Sequence, residues 1–405
     1  MKILLMNRFH YRKGGSEAVY FNTAELLRRA GHEVIFFSFI DDKNEACVQS
    51  EFFINGKERV SRLKGICNYF YNCEAKRNLE RLIEQEKPDV AHVHLLWGGM
   101  SPSIFSVLKK YKIPLVHTAH DYRMVCPAYT FNCNGKICEE CHGKSFYKCA
   151  LKKCSKGSTL ESAMMAMEMY FRNTFFSPEK NFAGIIYVSK FSQNKHLQYR
   201  KSLGNVPSMV LYNCTEEPES DLIGQFRRDY YLFFGRLSYE KGVDHLINVF
   251  EKLPKQKLKI VGTGPLEDSL KKLVLNRGLT NIEFLGYKTG RELKELVANA
   301  SFVIVPSQWY ENNPMTVIES YSLQTPIIGS DLGGIPEIID NGKTGFVFSH
   351  DDMNGLVNVV EDAACLSDAE YCKLSLNARR FFDEHFSENG YAEKLVEFYK
   401  SVMKI

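Results

Sequence analysis

SFVIVPSQWYENNPMTVIES, residues 301–320, sets the reading of this 405-residue chain. It opens with a short apolar run that ends at Pro306, turns at Asn312-Asn313-Pro314, and continues in helical sequence. A nearly continuous apolar strand of this length has both faces covered, as in a parallel sheet wrapped by helices. Two carboxylates, Glu311 and Glu319, flank the turn. Helix positions eight apart lie on nearly one face, because eight residues slightly exceed two turns. Glu319 is therefore expected to point back toward the helix start, where Glu311 and the amides around Asn313, Pro314, Met315 and Thr316 converge. Carboxylates accept hydrogen bonds from hydroxyls, so the pattern suits a polyhydroxylated ligand. The plainer alternative is a helix capped by Glu311 with Glu319 in solvent.

The same strand-then-helix unit recurs on both sides. Upstream lie KILLMN (2–7), EVIFFSF (33–39), DVAHVH (89–94), PLVHTA (114–119), GIIYVS (184–189) and SMVLYN (208–213). A polar stretch with Pro218, Glu219, Ser220 and Gly224 reads as a linker. The pattern restarts with YYLFFG (230–235), KLKIVG (257–262), NIEFLG (281–286), SFVIVP (301–306) and TPIIGS (325–330). The expected fold is α/β, with two doubly wound parallel-sheet domains facing a cleft. The expected boundaries are 1–213, a linker at 214–228, 229–387, and a helix at 388–405 packing back on the first domain.

Composition is that of a globular chain, with 44% hydrophobic and 25% charged residues. No secretory leader or run of spanning length is read, so a cytoplasmic protein is expected, with its 12 cysteines reduced or metal-bound. Charge is uneven. Residues 1–205 hold 31 Lys+Arg against 19 Asp+Glu, a net +12, while residues 206–405 hold 21 against 29, a net −8. The basic half suits anionic lipid or another polyanion, or is simply a solvated basic surface.

Ligands of doubly wound sheets bind beyond the carboxyl ends of the strands. After the first strand, Gly14 and Gly15 precede a helix, where a backbone can approach a phosphate or merely turn. Arg236 and Lys241 follow YYLFFG, as a pair suited to a diphosphate or as ordinary surface charges. Gly262 and Gly264 precede another helix, for a flat or anionic ligand or a plain connecting turn. His120 closes PLVHTAH, able to donate to a phosphate or sugar oxygen, although such a histidine is more often structural.

The motifs GGSE, GRLSYEKG, VGTGP, PSQWYENNPMTVIES and DLGGIPEIIDNGKTGFVF together resemble glycosyltransferase family 4, retaining enzymes of the GT-B fold. The resemblance implies a glycosyltransferase of hexosyltransferase type with a UDP- or GDP-linked sugar donor and a saccharide or lipid-linked acceptor. Arg236 and Lys241 would neutralise the diphosphate, so catalysis would need no metal. Glu319 would bind the ribose, and Gly262 and Gly264 would lie near the nucleotide. Glu311 would hold the transferred sugar, with help from amides near Asn313, Pro314, Met315 and Thr316. Gly14 and Gly15 would close over the phosphates, and His120 would lie beside the sugar and β-phosphate. The asparagines of NNP stand where many members have a glycine-rich turn, which leaves the sugar open. The sequence is similar to variants found in bacterial capsule, O-antigen and exopolysaccharide assembly. Rival readings are another GT-B activity, such as an epimerase or phosphorylase, and a non-catalytic polyanion- or RNA-binding protein. The latter leaves Arg236, Lys241, Glu311 and Glu319 unexplained, so no nucleic-acid partner is expected.

Six cysteines fall within 126–154. Cys138-x2-Cys141, flanked by Cys126 and Cys154, has the spacing of a structural zinc site, with an iron–sulfur centre or reduced thiols as alternatives. Next comes STLESAMMAMEMYFRNTFF (158–176), a Met-rich helix that would dock on a membrane or acceptor lipid, or lie buried in the first domain. The basic stretch RVSRLKG (59–65) keeps peripheral membrane contact open.

Overall fold

The computed structural model describes residues 1–56, 59–224 and 228–404. Residues 225–227 of the expected linker and residue 405 of the expected final helix lie outside the described residues. The chain divides into two compact units. The first comprises Met1–Asn134, Cys138–Tyr212 and Glu388–Ile405, and the second Gly135–Ile137 and Asn213–Ser387.

The first unit is built on six parallel strands: β1 (Lys2–Met6), β2 (Glu33–Phe37), β3 (Val90–Val93), β4 (Leu115–Ala119), β5 (Gly184–Tyr187) and β6 (Ser208–Val210). Their order is β6-β5-β4-β3-β1-β2. Both faces are covered: Ile3, Leu4, Leu5, Val90, Val93, Val116 and Ile185 are all buried. That is why these strands read as unbroken apolar runs rather than alternating ones. Order reverses between β1 and β3, which leaves a crevice at their carboxyl ends. The helix Tyr391–Met403 is part of this unit. Its Tyr399 hydroxyl lies 2.6 Å from His92 Nδ1 on β3, and Phe398 packs where a side chain on Gly184 would otherwise stand.

The second unit repeats the plan with β7 (Tyr231–Phe234), β8 (Leu258–Val261), β9 (Ile282–Gly286), β10 (Phe302–Val305), β11 (Ile327–Ser330) and β12 (Gly345–Phe348). The order β9-β8-β7-β10-β11-β12 is the dinucleotide-binding arrangement, with its switch between β7 and β10. Tyr231, Phe233, Ile260, Phe302 and Ile304 form its core with Leu246, Ile247 and Phe250 from the helix after β7. The doubly wound α/β expectation holds for both sheets. β12 was not among the strands read from the sequence, although Asp352 after it caps the next helix, Met353–Cys365.

Candidate active site

The chain leaving β10 carries Glu311 and the chain leaving β7 carries Lys241, so both arise at the switch point of the second sheet. Gly242 makes their approach possible. Its φ is +66°, and a Cβ there would stand 2.1 Å from the Pro306 carbonyl oxygen, so any side chain would push the two strand ends apart. Lys241 Nζ donates to Glu311 Oε1 at 2.6 Å, and Ser307 Oγ donates to the same oxygen at 2.8 Å. Glu311 is only 6% exposed. Burial raises its carboxyl, but the Lys241 ammonium and the hydrogen bonds outweigh this and hold it below the usual range. Glu311 is thus a fixed anion at neutral pH. The Gly334 amide donates to its backbone carbonyl at 2.7 Å, which ties the loop after β11 to it.

The helix that follows runs Met315–Ser322. It starts after Pro314, whose extended ψ of 121° and missing N–H keep it out of the helix. The eight-residue face argument therefore fails for Glu311, which sits in the loop, and Pro314 supplies no amide donor. Nor does Glu311 cap the helix: the start has no side-chain cap. The first-turn amides of Met315 and Thr316 lack helical partners by geometry. Asn213 holds the NNP turn, with its amide donating to Asn313 Oδ1 at 2.7 Å and its Nδ2 to the Asn313 carbonyl at 3.1 Å. Asn313 Nδ2 is buried with no hydrogen-bond partner among the described residues. Such an orphan donor is costly unless something accepts from it.

Glu319 lies in the middle of that helix, half-buried, its carboxylate with no hydrogen-bond partner among the described residues. Burial pushes its carboxyl up to about 7, with Lys294 opposing weakly. The two glutamates thus differ: Glu311 is charged and paired, Glu319 is poised to titrate. Arg236 is exposed, with no carboxylate partner among the described residues. Gly262 and Gly264 are explained by packing. A Cβ would come within 1.9 Å of the Gly235 carbonyl oxygen and 2.3 Å of Leu237's, respectively, so the loops after β7 and β8 touch backbone to backbone.

In the first unit, Gly14 precedes the helix Gly15–Arg29 in extended conformation. The buried Glu17 carboxylate already lies at this helix start, 3.6 Å from where a Gly14 Cβ would be. Burial raises its carboxyl, while hydrogen bonds from Ser16 and Asn7 lower it less. His120 follows β4, and its Nε2 lies 2.8 Å from Nδ1 of His94, with the rings stacked at 5.1 Å. Burial pushes His120 down to about 4 and His94 further, so both are neutral near pH 7 and one must donate to the other. His94 Nε2 is buried without a partner among the described residues. Sequence reasoning missed His94, Ser307 and Asn213. The alternation in DVAHVH, which puts His92 and His94 on one face, was the available signal for the first.

A partly open pocket lies beyond the ends of β1, β2 and β3. Its lining includes Arg8, Phe9, Phe39, Asn55, Asn68 and Tyr69, a mixture of rings and planar polar groups.

The zinc expectation is not supported. Among the described residues, no three or more His, Cys, Asp or Glu side chains group so as to hold a metal ion. The insert is instead held by rings and a salt bridge. Phe131 packs on Tyr122 at 5.0 Å and on Tyr199 at 4.9 Å, and Lys195 pairs with Glu139 at 2.7 Å.

Residues 13–137 match the family described as Glycosyltransferase Family 4, and residues 224–380 match Glycosyl transferases group 1. An uncharacterized 42.6 kDa protein in the cps region of Klebsiella pneumoniae is 25% identical over 84% of this chain and 87% of its own. Sucrose-phosphate synthase from Thermosynechococcus elongatus superposes with a TM-score of 0.74 at 17% identity, covering 100% of both chains. The Anabaena protein HepE in complex with UDP-glucose superposes with a TM-score of 0.67 at 18% identity, over 99% of this chain and 100% of that one. The two structural likenesses establish the GT-B fold.

Proposed function

Because the chain is a glycosyltransferase that joins a family 4 domain to a group 1 domain on GT-B architecture, we propose that it is a retaining enzyme. It moves a sugar from a UDP- or GDP-linked donor to a saccharide or lipid-linked saccharide in bacterial surface polysaccharide assembly. The carrying observation is the Lys241–Glu311–Ser307 cluster at the switch point of the second sheet, where a nucleotide ligand of such a sheet belongs. The cps-region relative supports the polysaccharide role. The UDP-glucose complex of the Anabaena protein supports a nucleotide-sugar donor.

Each group has a task in this reading. Arg236 and Lys241 neutralise the diphosphate as the glycosidic bond breaks, a fixed electrostatic contribution that needs no reorganisation. Metal-ion chemistry is not called on. Glu311, held rigid by Lys241 and Ser307, accepts from hydroxyls of the transferred sugar. The Met315 and Thr316 amides and the orphaned Asn313 Nδ2 donate to the same ligand, with Pro314 setting the turn. Glu319 accepts from the ribose hydroxyls, and the loop at Gly262 and Gly264 lines the nucleotide. In the first unit, Gly14 and Gly15 are assigned to phosphate, and His120 to the donor sugar with its ring set by His94. Retention follows same-face attack, with the donor phosphate taking the acceptor proton. The cavity lined by Phe9, Phe39 and Tyr69 takes the acceptor sugar, since rings and planar polar groups suit a pyranose.

The test is nucleotide release across a panel of UDP- and GDP-sugars, followed by NMR of the product anomer with the donor that turns over. Release from one donor class and a product of unchanged configuration are expected. No release from any donor, or an inverted product, would refute the reading.

A further inference from the structure

Two helices of the first unit carry apolar stripes on their solvent side. In Thr159–Phe175, the buried residues Ser162, Ala166, Met169 and Arg172 form one face. On the opposite side, by helical spacing, run Leu160, Met164, Met167, Phe171 and Phe175. Leu160 is 70% exposed, Met167 55% and Phe175 68%. Met164 and Phe171 are half-buried and Phe171 packs on Phe70, but Leu160, Met167 and Phe175 are left exposed where a helix that only closes a domain core has a polar face. Burial of Arg172, which pairs with Glu168 at 3.1 Å and lies 3.9 Å over the Trp97 ring, locks the orientation.

The helix Arg62–Phe70 adds a second stripe, with Leu63 and Ile66 exposed. The stripes are continuous, because the Phe70 and Phe171 rings meet edge to face at 5.8 Å. The short helix Tyr147–Leu151, packed on Thr159–Phe175, exposes Tyr147 and Leu151 on neighbouring surface. Close in sequence to these apolar side chains are Arg62, Lys64, Lys144 and Lys153, none with a carboxylate partner among the described residues, while Lys152 and Lys156 pair with Glu140 and Glu161. Apolar groups inside a rim of unneutralised cations match an anionic bilayer surface, with hydrocarbon below the headgroups and negative charge at them. A second copy of the chain fits poorly, because a twofold contact would set the same cations against one another.

We propose that this face docks on an anionic lipid bilayer and that the acceptor is presented from it. The argument for presentation is local. The same helix that exposes Leu63 and Ile66 lines the pocket beyond β1, β2 and β3 with Gly65, Asn68 and Tyr69. A saccharide on a lipid carrier would thus reach the cavity while its carrier stays in the bilayer. No helix among the described residues is long and apolar enough to cross a membrane, so the contact is one of lying on the surface. The acceptor half of the proposal rests on the glycosyltransferase reading above, and the docking half does not.

The full chain would be sedimented with phosphatidylcholine vesicles, with and without phosphatidylglycerol, while UDP release from UDP-glucose is followed without acceptor. Pelleting with the anionic vesicles, weakened by salt, is expected. Leu63→Ser with Phe175→Ser should lower that partitioning about tenfold or more. Lys64→Glu with Lys153→Glu should remove the preference for anionic vesicles. Donor-only UDP release should be unchanged in all these variants, whose substitutions are on the exposed surface and leave the melting temperature in place. Failure to pellet at low salt, or serine variants that pellet like the parent, would overturn the proposal. So would a dimer in sedimentation velocity that the serine variants dissolve. If the parent pellets with anionic vesicles but releases no nucleotide from any donor, docking stands and its use for an acceptor falls with the glycosyltransferase mechanism.

Discussion

Replacing Lys241 by alanine separates the structural from the catalytic use of the second unit's ion pair. The change leaves Glu311 6% exposed with only Ser307 donating to its Oε1. Breaking a buried pair from one side costs ~3–5 kcal/mol, because the remaining charge is uncompensated. The Lys241 side chain is 26% exposed. Water screens part of the attraction, so a loss of about 2 kcal/mol is expected. The pH dependence has a definite sign. In the parent, the depressed Glu311 carboxyl contributes stability that is present above its ordinary value of 4.5 and lost as pH falls through the lower folded value. In the variant, burial is opposed only by hydrogen bonds such as that from Ser307, and the folded value rises. Its deficit is then largest at neutral pH and narrows toward 4.5. Glu311→Gln added to Lys241→Ala removes the stranded charge and should recover most of the stability. Turnover should behave otherwise: removing one fixed charge at a leaving group costs about 10²–10³ in kcat, and the double variant should stay as slow. Urea unfolding at two pH values and nucleotide release from the best donor read the two effects. Near-normal turnover in Lys241→Ala, or recovery of turnover with stability in the double variant, would sink the diphosphate role.

Four further outcomes follow from the same geometry. Burial pushes the Glu319 carboxyl up to about 7, and on the proposed ribose role only the carboxylate would accept from both hydroxyls, so donor affinity should fall about tenfold from pH 8 to pH 6; Glu319→Gln should abolish that dependence, measured as KM or by calorimetry. His94→Phe should lower kcat with little change in donor KM, and His94→Gln should restore part of it, because His120 loses its 2.8 Å partner only in the first. Asn213→Ala removes a 3.1 Å hydrogen bond to the Asn313 carbonyl, worth about 1 kcal/mol, and should raise donor KM about fivefold. Dialysis against a chelator should leave turnover unchanged, and elemental analysis should find zinc well below one per chain.

What was legible in the sequence, and what was not, follows the range of the interactions. Strands such as KILLMN and SFVIVP announce themselves because burial on both faces is a property of each strand alone. Arg236, Lys241 and Glu311 could be singled out because strand ends are where parallel sheets place chemistry, and strand ends are local, whereas Glu319, in mid-helix, was picked out by its spacing from Glu311. What Lys241 does there is not local. Its partner is 70 positions away, and it is joined through the contact of Gly242 with Pro306, which only the order of β7 and β10 creates. His94 and His120 likewise meet only because β3 and β4 are neighbours in the sheet. The cysteines are the converse case, a zinc reading that nothing among the described residues supports. Their spacing is a local pattern with a strong metal precedent, but it says nothing of Phe131, Tyr122 and Tyr199, whose rings hold the segment. The exposed stripe of Thr159–Phe175 belongs to the same class. From sequence, Met164, Met167 and Phe171 serve a buried or a docking helix equally well. Only the burial of Arg172 on the far side decides which face the domain uses and leaves the other to be explained.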